Sequence, residues 1–429
     1  MRLVLFDRQT ESRINFDPVA LCRPIWELRC GMTSLGEKLI AKVGARDVAG
    51  FLPEYMADVY REQSDWPINR AASLVDDDLL LVNARVKAES FAIDPVGPSQ
   101  VAFDDNGDCL FARIAKKDLG KLVTDSIDGL IESAREALPR YEGKIATWNY
   151  TWDLILSNPE QLTKDFAAAG RSGIDGHVEE PLAIRGSRGD VYIGKDARVH
   201  PMVVIDAEHG PVYIDEGAEI HPFTRIEGPC YIGKKSILLG AKCREGNSIG
   251  PMCRVGGEVE ESIIQGYSNK YHDGFLGHAY VGQWVNLGAL TTNSDLKNDY
   301  SDVSVILDGK HAIETGSRKV GSLIGDHTKT SIGTLFNTGS YVGAMTLISG
   351  TGKPLPKFIP SFAWFLEGVV TKGFGKGKLF QTAKIAMGRR GCEWTPAQEA
   401  MWEEIFKITA EPRMDAIKKG RRAMRAQRS

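Results

Sequence analysis

An aliphatic residue returns every six positions through the middle of the chain, and that period limits the folds open to it. Ile193, Val199 and Ile205 stand six apart, as do Ile214, Ile220, Ile226, Ile232 and Leu238, and then Ile249 and Val255. Val281 and Leu287 keep the spacing, and Ile324, Thr330, Phe336, Val342 and Ile348 extend it with one polar lapse. A helix repeats at about 3.6 residues and a strand at about 2, so neither element alone yields this period. A hexapeptide β-helix does: each hexad turns one aliphatic into a triangular prism and sets a small or turn-compatible residue at a corner. Glycine often follows the aliphatic, as at Ile193-Gly194, Ile232-Gly233, Ile249-Gly250 and Val281-Gly282. At three hexads per coil, residues 181–350 give roughly nine coils minus insertions.

The flanks have other textures. Residues 1–175 read as mixed α/β: "RLVLF" (Arg2–Phe6) and "LLLVNARV" (79–86) have the length and apolarity of buried strands. "QVAFDDNGDCLFARI" reads as a hairpin around Asp-Asn-Gly, and "IDGLIESAREAL" and "TWDLILSNPEQLTKDFAAAG" as amphipathic helices. "GRSGIDGHVEE" (170–180), rich in glycine and charge, makes a linker. Residues 351–429 lose the hexads; "KLFQTAKIAMGRRG" and "TPAQEAMWEEIFKIT" read as helices, the second with Thr395 as N-cap and Pro396 at its first position. The basic end "KKGRRAMRAQRS" reads as a solvated or frayed terminus.

A net charge of −3 gives no bulk electrostatic attraction to nucleic acid. No apolar run approaches the roughly 20 residues of a membrane span, and the N-terminus turns polar too soon for a signal peptide. The seven cysteines contain no C-x-x-C pair, so neither a disulfide framework nor a cysteine zinc site is indicated and no metal ligand is assigned. A reducing cytoplasm fits best.

Two stretches break the hexads. In "GYSNKYHDGFLGHAYVGQWVNLGA" (266–289), His272 lies in what reads as an insertion, beside Asp273 and Gly274. His278, six residues on, sits at an equivalent place on the next face and reads as a turn residue, the rival base. In the second, 291–319, Thr315, Ser317, Arg318 and Lys319 offer phosphate contacts, against the plainer reading of a solvated basic turn.

"RPIWELRCG" (23–31), "TWDLILSN", "GYSNKYHDGFLGH", "VNLGALTTNSDLKNDY" and "PKFIPSFAWF" together resemble a divergent bacterial GlmU-like family. Its better-defined relatives are the bifunctional N-acetylglucosamine-1-phosphate uridyltransferase/glucosamine-1-phosphate acetyltransferases. The resemblance implies a nucleotidyltransferase-like α/β domain (1–175), a left-handed parallel β-helix of acyltransferase type (181–350) and a C-terminal helical extension (351–429). It implies a cytoplasmic homotrimer that binds acetyl-CoA between neighbouring prisms and N-acetylates a hexosamine 1-phosphate. His272 falls on the family's catalytic histidine, and histidine titrates in the range such a base needs. Asn286 and Asn293 fall on family asparagines that contact substrate or acyl-CoA, with Lys270 or Lys297 as the nearby lysine. Phe275 replaces a tyrosine that would bond the sugar phosphate.

The N-terminal half departs from the family at the nucleotide. Members follow the first strand with a glycine-rich loop that cradles the triphosphate. Here "DRQTESRINFDPVALCRP" follows, with no glycine before Gly31. Asn83 stands where an aspartate would hold Mg²⁺, a weaker ligand for a hard cation. Arg23, Arg29 and Lys38 are the expected phosphate contacts, for a sugar phosphate or a nucleoside triphosphate. Two alternatives stay open: a monofunctional sugar-1-phosphate nucleotidyltransferase with a structural β-helix, and a non-catalytic scaffold.

Overall fold

A computed structural model of the chain describes residues 1–350 and 352–426. Its N-terminal sheet has five strands in the order Val48–Phe51, Arg2–Phe6, Leu79–Asn83, Cys109–Ile114, Gln100–Phe103. The first three run parallel and the last two antiparallel, joined by the Asp-Asn-Gly hairpin. Leu79–Asn83 is buried along its whole length, as an apolar run in the middle of a helix-covered sheet must be. Thr151–Ala169 forms the long helix that leads out of the domain.

The hexads build a parallel β-solenoid. One face carries ten strands, from Gly173–Ile174 to Phe358–Ile359. Along it Ile193, Ile214, Ile232, Ile249, Ile264, Val281, Ile324, Val342 and Ile359 stack in register. All nine are essentially fully buried, each contributing about 1.5–3 kcal/mol of apolar burial. The corners tolerate non-glycine residues in the left-handed region, for instance Met202 and Phe223 at equivalent places of consecutive coils.

The solenoid is longer than the hexads indicate. The expected linker is its first coil: Gly173–Ile174 pairs with Tyr192 and Ile193, and His177–Val178 with Arg198–Val199. A coil needs only one inward aliphatic per face, and Ile174 and Val178 suffice in an otherwise polar stretch. At the far end Phe358–Ile359 and Trp364–Leu366 add to the ladders, and Val369–Thr371 turns back antiparallel. Helix Ala410–Ala426 lies across this last strand, so the basic end is helical rather than frayed as far as Ala426, while its Lys418, Lys419, Arg421, Arg422 and Arg425 are exposed to solvent as expected. Gly420 permits the approach, because a Cβ there would meet the Val370 carbonyl oxygen at 2.3 Å. Residues 427–429 lie outside the described part.

The second interruption leaves the coil intact: Tyr280 and Val281 pair directly with Leu323 and Ile324. The chain between makes an antiparallel hairpin, Ser304–Ile306 with Ala312–Glu314, whose Val303, Val305 and Leu307 are buried. Thr315 and Ser317 bond within this hairpin, and Lys319 Nζ reaches Glu260 at 3.0 Å.

The segment 23–31 joins the two halves. Arg23 makes a two-pronged, buried ion pair with Asp326 of the solenoid, with Nη1 to Oδ1 at 2.9 Å. The Arg29 amide donates to Tyr280 Oη at 2.8 Å, and Gln265 Nε2 donates to the Glu27 carbonyl at 2.7 Å. From the long helix, Asn158 Oδ1 accepts from the Gly31 amide, while its Nδ2 donates to Gly246 O of the solenoid.

Candidate active site at the His272 corner

One column of inward residues reads Ile220, Leu238, Val255, Lys270, so a lysine occupies an aliphatic's place. Its Nζ donates to the Gly256 carbonyl at 2.8 Å and to the His272 carbonyl at 2.6 Å. Burial lowers its pKa to about 8. Lys270 thus fixes the backbone of the corner from inside.

That corner is not an insertion. From Lys270 to Leu276 the chain takes six residues, the regular step. The irregular coils are the two before it, where Leu238 to Cys243 takes five and Val255 to Val259 takes four. The corner bearing His272 is therefore two residues longer than the one beneath it. His272 and Asp273 are exposed there, and neither ring nitrogen of His272 has a hydrogen-bond partner among the described residues.

His272 borders a cleft of about 710 Å³ between the solenoid and the C-terminal extension. Asn269, Asn286 and Lys329 line it from equivalent positions of three consecutive coils. Asn269 Nδ2 donates to Asn286 Oδ1 at 3.1 Å, and Arg390 donates to Asn269 Oδ1 at 2.8 Å. Lys329 Nζ donates to the carbonyls of Trp284 (2.5 Å) and His327 (3.1 Å), and burial brings its pKa down to about 7. Arg254, Arg389 and Arg390 add positive charge, while Ile332 and Ile385 leave apolar surface exposed inside. An exposed imidazole beside cations, amides and an apolar wall can take a proton from a nucleophile while phosphate groups are held nearby.

The other expected residues lie elsewhere. Asn293 clamps Gly277, accepting from its amide and donating to its carbonyl, both at 2.8 Å. Lys297 bonds Ser301 Oγ and the Asp302 carbonyl at the surface. Phe275 is half-buried with its amide on Thr292 Oγ1. His278 is 2% exposed, with Nδ1 at 2.9 Å from Asp295 and Nε2 at 3.2 Å from Glu261. Burial works against its charge, yet the two carboxylates raise its pKa to about 9. An imidazolium held this way is closed to a substrate, whereas the His272 ring is exposed. Lys329, Arg254 and the arginines 389–390 were not anticipated; the coil spacing that stacks Asn269, Asn286 and Lys329 was the only signal for the first.

The N-terminal expectations are also relocated. Arg23 is held by Asp326 as above, Arg29 sits over the Tyr231 ring at 5.4 Å, and Lys38 is ion-paired with Asp165. Asn83 donates to the Cys109 carbonyl and accepts from the Arg85 amide, so both ends of its amide serve the turn. A cleft of about 550 Å³ opens at the carboxyl ends of Arg2–Phe6 and Val48–Phe51, where parallel sheets bind ligands. Asp7 there is bonded by Arg13 (3.1 Å) and the Ile25 amide (2.9 Å), and Asp128 by Arg8 (2.5 Å). Asp7 and Asp128, neutralised by arginine, are poor donors for Mg²⁺, while Glu54 and Asp125 also line the cleft.

Residues 3–172 match the family model described as sugar nucleotidyl transferase. A bifunctional sugar-1-phosphate nucleotidylyltransferase/acetyltransferase of Sulfurisphaera tokodaii is 32% identical over 238 residues, 55% of this chain and 53% of its own. A bifunctional protein GlmU of Methanocaldococcus jannaschii is 28% identical over 303 residues, 70% of this chain and 66% of its own. The matches thus span about half to two thirds of these relatives' length. The solved UDP-N-acetylglucosamine acyltransferase of Francisella novicida aligns with 58% of this chain and 92% of its own, at 15% identity and a TM-score of 0.30. The chain is similar to sugar nucleotidyl transferases over residues 3–172 and, over longer stretches, to bifunctional nucleotidylyltransferase/acetyltransferases of the GlmU type.

Proposed function

We propose that the chain is a sugar-phosphate transferase of nucleotide-sugar synthesis, with acetyl-CoA-dependent N-acetylation of a hexosamine 1-phosphate in the His272 cleft. The observation that carries this is the pairing of an exposed, unbonded imidazole with a cleft rich in cations. In the step, the sugar amine attacks the thioester carbon and a C–N bond forms. His272 takes the amine proton, and the C–S bond breaks to release CoA. Asn286, with amide donors at the corner, bonds the oxyanion of the tetrahedral intermediate. Arg254, Arg389 and Arg390 hold the phosphates of sugar and CoA. Assembly as a homotrimer, which would bring a neighbouring prism against this corner, belongs to the same reading.

For the N-terminal domain the reading is nucleotidyl transfer to a sugar 1-phosphate, supported by the family match and by the cleft at the strand ends. Arg8, Gln9, Thr10 and Ser126 are among the polar groups that line this cleft and would meet a ligand, in place of Arg23, Arg29, Lys38 and Asn83.

The test is turnover by the purified full chain with a panel of hexosamine 1-phosphates, acetyl-CoA and nucleoside triphosphates. Release of CoA thiol dependent on an amino sugar supports the acyl-transfer reading, and pyrophosphate release supports the second activity. No thiol release with any amino sugar overturns the first; no pyrophosphate with any triphosphate overturns the second.

A further inference from the structure

Far along the sequence from His272, in the first coils of the solenoid, the ladder makes a second constellation. Arg198 pairs with Glu219 and Val199 with Ile220, so the next residues, His200 and His221, occupy the same outward place on consecutive coils. Val178 pairs with Val199, which puts Glu179 in that column one coil earlier. Glu219 is two residues before His221 and so faces the same way. The spacing between coils stacks the two imidazoles, their centroids 5.0 Å apart at 29°.

The donor atoms converge. His200 Nε2 is 3.1 Å from Glu219 Oε1, and His221 Nε2 is 3.5 Å from the same oxygen. One ligand atom from each of the three side chains lies within 4.8 Å of the others. A tetrahedral metal with bonds of about 2.0–2.1 Å separates its ligand atoms by roughly 3.3 Å, and the two histidine-to-Glu219 distances bracket that value. Glu179 Oε1 lies 3.6 Å from the other nitrogen of His200, Nδ1. That is longer than a hydrogen bond, so Glu179 places a negative charge beside the far nitrogen without bonding it. All three side chains are half-buried, so an ion can enter and a fourth position stays open to water.

We propose that His200, His221 and Glu219 bind a divalent first-row transition metal of the Zn²⁺ type on the outer face of the first coils, with the Glu179 carboxylate adding negative charge beside His200. The metal clips two successive coils at the end of the solenoid nearest the N-terminal domain's exit helix. A His₂Glu set with nitrogen and carboxylate donors suits Zn²⁺ and excludes a preference for Ca²⁺ or Mg²⁺. The reading is independent of the acyl-transfer chemistry.

The test is titration of chelator-stripped full-length protein with Zn²⁺ by calorimetry, beside Co²⁺ absorption spectra. Expected are one equivalent bound at micromolar or tighter Kd, an intense visible Co²⁺ band of tetrahedral type, and a higher Tm with Zn²⁺. His200→Gln and His221→Gln should each weaken binding at least 100-fold, while His209→Gln, at an exposed histidine elsewhere, should leave it unchanged. Equal Zn²⁺ binding by wild type and the His200→Gln/His221→Gln double variant overturns the site. So does a wild-type protein giving only the weak Co²⁺ spectrum of an octahedral aquo ion, a result that does not depend on the variants folding.

Discussion

Lys270 carries the backbone on which His272 stands, bonding the His272 carbonyl at 2.6 Å from an inward position that the three preceding coils fill with Ile220, Leu238 and Val255. Lys270→Met keeps the volume, removes a buried amine and frees the corner. A buried charge replaced by an apolar group is often neutral for stability, so unfolding should shift by less than about 2 kcal/mol. Acetyl-transfer kcat should fall about 10-fold, because a base displaced by even an ångström loses much of its effect. Urea melts and kcat measured together separate the two.

His278 makes a prediction of opposite sense. Its folded pKa, about 9, lies above its ordinary value of 6.5. The stabilisation it provides is fully present below pH 6.5 and is lost as pH rises through 9, because the folded state then binds the extra proton. His278→Gln should flatten that fall in stability between pH 6.5 and 9 without abolishing the pH dependence of acetyl transfer. Denaturant midpoints across the range measure it.

Arg23 and Asp326 tie the two halves together. Arg23→Ala leaves a carboxylate buried and unpaired and should cost about 3–5 kcal/mol. Arg23→Lys should recover little, since a single ammonium cannot reproduce the two-pronged bond. Guanidinium melts monitored by tryptophan fluorescence check both variants.

Much of this architecture was legible because a period of six survives a weak individual residue: Thr330 still keeps phase. The boundaries were not, since a coil needs only one inward aliphatic per face, and stretches such as 170–180 satisfy that while looking like a linker. The site was legible in part. His272 stood out, but the coils preceding it, shortened by one and two residues, made a regular corner look like an insertion. Arg23, Arg29 and Lys38 misled because a cationic side chain near a first strand looks alike whether it meets a phosphate or a buried aspartate. Arg389 and Arg390 left no signal, as only the tertiary packing of the C-terminal extension brings them to the cleft.

Arg390, bonded to Asn269 at the cleft, tests the phosphate-holding part of the reading. Arg390→Ala should raise KM for the phosphate-bearing substrates about 10-fold with kcat within about 3-fold, the pattern of lost uniform binding. Raising the salt concentration should shrink the difference between wild type and variant. Steady-state kinetics at two ionic strengths decide it.

The central claim is that His272 accepts the proton of the attacking amine. The direct measurement is the pH profile of kcat for acetyl transfer by wild type and His272→Ala, with the fold of the variant checked by circular dichroism. General-base catalysis is worth about 10²–10⁴-fold, so kcat should drop by at least 100-fold and the acidic limb of the profile should vanish. A variant that keeps wild-type kcat and the same acidic limb would contradict the account.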